Sequence, residues 1–131
     1  MNDSPSFVPP RLLVDGIAQF NRGEYFEQHE TLETLWRAEP GPVRRLYQGI
    51  LQIGVAFHHA RRGNHHGVTV MLERGLRNVR PYAPACQGVD VARLIAETER
   101  AQEALAALGP DGLAAFDWRL APRVHWTGGK V

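Results

Sequence analysis

From Leu46 to Ala60 the chain reads LYQGILQIGVAFHHA, with no Asp, Glu, Lys or Arg. Leu46, Ile50, Ile53 and Phe57 recur at spacings of three and four, so the run predicts a helix over about Val43 to Arg62. A helix without charge on nearly all sides must be covered on nearly all sides. Its uncharged run of 15 residues is shorter than the roughly 20 apolar residues of a membrane span. The rest of the chain must therefore supply its cover. Gly49 and Gly54 would let neighbouring helices approach closely, at a cost in helix propensity.

Four further helical segments provide that cover, and no segment reads convincingly as a strand. Leu12, Leu13, Ile17 and Phe20 give the first, about Pro9 to Asn21, which NRG at 21–23 breaks. The second runs from about Glu24 to Ala38 and stops at Pro40-Gly41-Pro42. Gly63 can end the central helix in a left-handed conformation, and Asn64 can cap the next, about His65 to Val79. Val68, Leu72, Leu76 and Val79 form its apolar stripe. The fifth is Val91 to Leu108, with Asp90 as N-cap and Gly109-Pro110 as its end. Residues 109–131 read as a C-terminal arm, with GLAAF at 112–116 as a short helical turn and DWRLAPRVHWTGGKV as an extended stretch whose Trp118 and Trp126 would dock on the bundle. Short connections favour antiparallel neighbours. The expected architecture is a single all-α domain, 1–131, with a core at about 9–108.

Composition narrows the function classes. A length of 131 residues suits one core. The net charge is +1, so no strong field draws the chain to nucleic acid or an anionic membrane. Arg61, Arg62, Arg74, Arg77 and Arg80 read as solvated positions rather than a nucleic-acid footprint. Cys86 is the lone cysteine, which excludes an internal disulfide and a Cys-rich zinc site. The start, MNDSPSFVPP, lacks a signal-peptide profile. These features together predict a cytoplasmic protein, a monomer or small homo-oligomer.

The unusual polar residues lie in HETLETLW, His29 to Trp36. It begins like the helical zinc-protease motif H-E-x-x-H, but Glu33 stands where the second histidine belongs. With about 100° per residue, Trp36, Tyr25 and Leu32 fall within about 60° of His29 on one side, and Glu33 and Phe26 within about 60° on the other. That places His29 and Glu33 inside the apolar arc, where a carboxylate needs a partner or a metal. On the central helix Gln48, Gln52 and His59 cluster roughly opposite the main apolar stripe and form the natural counterpart. His65 and His66 point about 100° apart at a helix start and read as surface residues. His125, in the arm, is uninformative.

FNRGEYFEQHETLETLWR followed by YQGILQIGVAFHHARRGNHHGVTVMLERGL resembles a bacterial and archaeal family called domain of unknown function three hundred and nine. Its signature, H-x-x-x-E-x-x-[W/Y], is matched by His29, Glu33 and Trp36. Gln52, His59, Gly63 and Asn64 match the uncharged helix and turn that follow it. The resemblance covers about residues 12–80 and implies an all-helical fold. It carries a suggestion of metal binding without a reaction.

Two functional readings stand side by side. In the first, His29, Glu33 and His59 ligate one divalent metal, zinc, iron or manganese, with open positions for water. Glu30 would then be a general base for hydrolysis, and Gln48, Gln52, Trp36 and Tyr25 would surround the ligands and orient them. In the second, the same side chains form a buried hydrogen-bond network that fixes helix register. The chain is then a non-enzymatic interaction module for a protein or small-molecule partner, with exposed Trp118 or Trp126 as contact residues.

Overall fold

The uncharged run is the axis of the structure. In a computed structural model, described here for residues 8–128, α3 spans Arg44–Arg61 and buries residues on several sides, among them Leu46, Tyr47, Ile50, Ile53, Ala56 and Phe57. Around it stand α1 (Arg11–Asn21), α2 (Tyr25–Ala38), α4 (His65–Val79) and α5 (Val91–Leu108). The all-α bundle expected from periodicity is therefore the observed fold. Residues 1–7, where the signal-peptide reading falls, and 129–131 lie outside the described residues. Among the described residues no helix is long and apolar enough to cross a membrane.

The predicted punctuation has a physical counterpart at each junction. Gly63 has φ +74°, a left-handed value that costs other residues more. Asn64 Oδ1 accepts from Gly67 N at 3.0 Å and opens α4. Asp90 Oδ1 accepts from Arg93 N at 3.0 Å and opens α5. The tightest crossing lies between α3 and α4. A Cβ on Gly49 would sit 2.9 Å from Gly75 O, and one on Gly75 would sit 3.0 Å from Gly49 O. The two helix backbones therefore touch, as the absence of a side chain at Gly49 suggested.

Two departures concern the segments outside the five helices. Ala85–Cys86 (β1) and Val89–Asp90 (β2) pair as an antiparallel hairpin, where the sequence reads as loop. Gln87 and Gly88 carry φ of 55° and 78°, the positive pair that a two-residue hairpin turn needs. Strands of two residues are too short to show alternation. The arm after Gly109 is not simply extended. The turn expected at GLAAF is a 3₁₀ turn at Leu113–Ala115, a second 3₁₀ turn at Trp118–Leu120 interrupts the stretch expected to be extended, and Trp126 then bridges to Val89. Leu113, Phe116 and Val124 bury their side chains in the main core. Asn21 clamps the arm, donating to Val124 O at 2.9 Å and accepting from Val124 N at 2.8 Å.

Candidate functional site

The buried face of α2 consists of Tyr25, Gln28, Leu32 and Leu35. On a wheel with His29 at zero this arc centres about 80° away, so the apolar face is rotated from the sequence-based placement. His29 and Glu33 lie on its margin, with side chains 37% and 32% exposed. The polar side chain sealed in the core is Gln28, at 0% exposure. Its amide Nε2 donates to Tyr25 O and Leu51 O, both at 3.2 Å, while Oε1 has no partner. Gly54 makes room for it, since a Cβ there would lie 2.3 Å from Gln28 Nε2.

The remaining sequence-nominated residues separate onto different faces. Glu33 accepts from Arg37 at 2.9 Å and lies 4.0 Å from His29 Nε2. Arg37 and Arg44 place their guanidiniums 5.7 and 5.3 Å from the Trp36 ring centre. Glu30 is exposed. Half-buried Gln48 lies on α3, and Gln52 faces α4, its Oε1 accepting from Asn78 at 2.8 Å. His59 also faces α4. Asn64 pairs with its Nδ1 at 3.2 Å, and a Cβ on Gly67 would be 2.6 Å from its ring. Burial, helped by His58 and Arg62, holds the His59 imidazole below its ordinary pKa. The Gln48/Gln52/His59 stripe is thus not the counterpart of His29 and Glu33.

That arrangement does not fit a resident metal. Among the described residues no three His, Cys, Asp or Glu side chains gather closely enough to hold one, so His29, Glu33 and His59 are not assembled as a ligand set. The imidazole that shares a hollow with His29 is His58, together with Tyr25, Phe26 and Val55, around about 210 Å³. Phe26 lies over His58 at 6.0 Å and is 53% exposed.

A larger cleft, of about 640 Å³, opens where the end of α1, the start of α2, the end of α3 and the arm meet. Arg22, Arg61, Arg119 and Arg123 line it, beside Tyr25 and Trp118, and no carboxylate does. Arg22 pairs with Glu24 and Arg119 with Asp117, each at 3.0 Å. Arg61 and Arg123 have no carboxylate partner among the described residues. Each instead donates to a carbonyl at the end of α1. Arg61 reaches Gly23 O at 2.9 Å and Arg123 reaches Asn21 O at 3.1 Å. Asn21 O lies at the negative end of the α1 dipole and Gly23 O just beyond it, so each cation is held by a carbonyl without a full charge being cancelled. The Arg61 guanidinium lies 5.0 Å from the Tyr25 ring centre and 5.3 Å from that of Trp118. Burial raises the Tyr25 phenol pKa, while the charges of Arg61 and Arg123 pull it back.

Sequence reasoning reached Arg61 only as a surface cation and did not single out Arg22, Arg119 or Arg123. Their convergence depends on the arm folding back across α1, and no local spacing signals that. Trp118 was singled out, and it is 38% exposed at the cleft while its ring packs against Phe116, 5.1 Å away.

Comparison with known proteins gives a family match over part of the chain and no activity. It is 32% identical over 90 residues to "Uncharacterized protein YpuF" of Bacillus subtilis (strain 168), an overlap covering 66% of this chain and 52% of that relative. The chain thus spans about half the length of the curated relative it matches. No solved structure matches it. The model of the family described as Domain of unknown function (DUF309) matches residues 13–71, from α1 into α4.

Proposed function

We propose that this chain is a small-molecule binding protein that takes an anionic ligand in the arginine-lined cleft. The observation that carries the reading is the surplus of positive charge there. Four guanidiniums line a space without carboxylates, and two of them lack an anionic partner. The volume of 640 Å³ lies within the usual range for small-ligand pockets, roughly 300–1,000 Å³. Low-dielectric walls from Tyr25, Leu113 and Trp118 strengthen attraction for an anion. The metal-dependent hydrolase reading lacks an assembled ligand set, and Glu30 stands exposed without one.

The test is a thermal-shift comparison at constant ionic strength. Benzoate and phenyl phosphate should raise the Tm, whereas benzylamine and benzyl alcohol should not. Ligand at 100 times its Kd contributes about 2.7 kcal/mol. The combined Arg61→Ala and Arg123→Ala variant should lose the response. Equal shifts from the neutral or cationic probes, or no shift from either anion, would sink the reading.

A further inference from the structure

We infer that the cleft selects a phosphate monoester dianion over a carboxylate, with Arg61 and Arg123 as its two phosphate-binding residues. The inference rests on the proposed anion-binding function and names the ligand class for that same site.

Charge is the first argument. Arg22 and Arg119 are matched by Glu24 and Asp117, which leaves the two positive charges of Arg61 and Arg123 open. A phosphate monoester carries about −1.5 to −2 at neutral pH, close to that surplus, while a monocarboxylate leaves one cation unmatched.

Geometry is the second. Both guanidiniums are anchored by one N–H to backbone carbonyls two residues apart, Asn21 O and Gly23 O. The Tyr25 and Trp118 rings lie within stacking range of Arg61, so its remaining in-plane N–H groups are the part available to a ligand. A planar fork with free edge donors suits bidentate recognition of an oxyanion. Two such forks from two different elements, α3 and the arm, call for more acceptor oxygens than the two of a carboxylate. Phosphate offers three terminal oxygens around one centre. The organic remainder of the ligand then rests against the exposed part of Trp118 and against Leu113.

The placement also links binding to the arm. Arg123 is anchored to α5 as well, since its backbone N donates to Glu97 Oε1 at 2.9 Å. A phosphate bridging Arg61 and Arg123 therefore cross-links the arm to α3 and slows its undocking.

The experiment is calorimetric titration of the full chain with phenyl phosphate, benzoate and inorganic phosphate. Phenyl phosphate should bind at least about tenfold more tightly than benzoate, since its dianion can engage both guanidinium forks whereas a carboxylate can satisfy one. No histidine or carboxylate lines the cleft; the charged groups around it are Arg22, Arg61, Arg119 and Arg123, the paired Glu24 and Asp117, and, behind the Arg123 backbone, Glu97 with its partners Arg93 and His125. The titrating group near neutrality is thus the ligand. Affinity should fall about fourfold between about pH 7.5 and pH 5.5 as the phosphoryl group, of pKa about 6, gains a proton. Amide exchange in residues 113–125 should slow on binding. Arg61→Lys and Arg123→Lys keep the charge, and each should still lose affinity because the fork is gone. Benzoate binding as tightly as phenyl phosphate would overturn the phosphate inference and leave the anion cleft standing. Failure of both anions would overturn both. Preference for a single-stranded oligonucleotide, growing with its length, would overturn the small-molecule assignment.

Discussion

Replacing Gln28 by Glu tests whether the core position that sequence reasoning missed is truly sealed from water. The two side chains have nearly the same shape, so the change exchanges an amide for an acid with little repacking. The amide donates to Tyr25 O and Leu51 O at 3.2 Å. A carboxylate there would face two carbonyl oxygens at full burial, while a neutral acid can donate to one of them. The acid should therefore stay protonated in the folded protein well above the unfolded pKa of about 4.3. The folded state then binds more protons than the unfolded state, so stability falls as pH rises through this window. The slope is about 1.4 kcal/mol per pH unit, and the loss added between about pH 4 and pH 7 is about 3–4 kcal/mol. Urea unfolding of Gln28→Glu and the parent across that range measures it. A difference that does not change with pH would refute the reasoning, because it would mean the carboxylate reaches solvent. Gln28→Met is the companion. It loses two neutral hydrogen bonds worth about 1 kcal/mol each, and it also removes an unpaired buried oxygen that costs about 1–3 kcal/mol. It should lie within about 1 kcal/mol of the parent.

Other perturbations follow from the same contacts. Gly75→Ala places a Cβ 3.0 Å from Gly49 O and 3.1 Å from Ile53 N, both backbone atoms. Urea unfolding should show a net loss, because strain of about 1–3 kcal/mol outweighs the gain of about 1 kcal/mol in helix propensity. Burial pushes the Glu97 carboxyl up, but hydrogen bonds from Arg123 N and Arg93 and the charges of His125 and Arg93 bring it below its ordinary pKa. Its stabilisation is present above the unfolded pKa of about 4.3 and is lost as pH falls through the lower folded value. Glu97→Gln should flatten that acid limb, followed by tryptophan fluorescence from the arm. Glu33→Gln removes a partly exposed partner of Arg37 and should cost no more than about 0.5 kcal/mol by urea unfolding. Added zinc should leave the Tm of the parent unchanged, and a metal-dependent rise abolished by Glu33→Gln would restore the ligand reading.

The helices were legible because their signals are local and repeated. The stripe Val68, Leu72, Leu76 and Val79 gave α4 its face, and Asn64 and Asp90 marked helix starts through their own side chains. The site was less legible for two different reasons. On α2 the apolar residues flank His29 on both sides, since Phe26 is as hydrophobic as Leu32. Periodicity alone could not tell that Phe26 is exposed and Gln28 buried. Gly54 decides the matter, because it opens the space that the Gln28 amide fills, and that pairing lies across two helices. The cleft was hidden by sequence separation. Arg22 and Arg123 line one cleft because the arm folds back across α1, where Asn21 holds the backbone of Val124.

The origin of the two walls bears on how ligand choice is built. Arg22, Tyr25 and Arg61 lie within the DUF309 segment, residues 13–71, whereas Leu113, Trp118, Arg119 and Arg123 lie outside it. The family segment therefore supplies a cationic, aromatic half-site at the end of α1. The arm closes it and brings the second unmatched guanidinium. Tyr25 joins this cleft to the hollow of His29 and His58, because its side chain lines both. His29, Glu33 and Trp36 lie in a partly exposed lattice, with Glu33 held by Arg37 and Trp36 beneath Arg37 and Arg44. Such a lattice contributes little stability. Its position is more informative than its energy, because His29 stands one helical turn from Tyr25, on the same helix that forms the cleft wall. Changes in ligand preference are thus expected to track the arm residues Trp118 and Arg123, while the presence of any anion site tracks Arg61 and Tyr25.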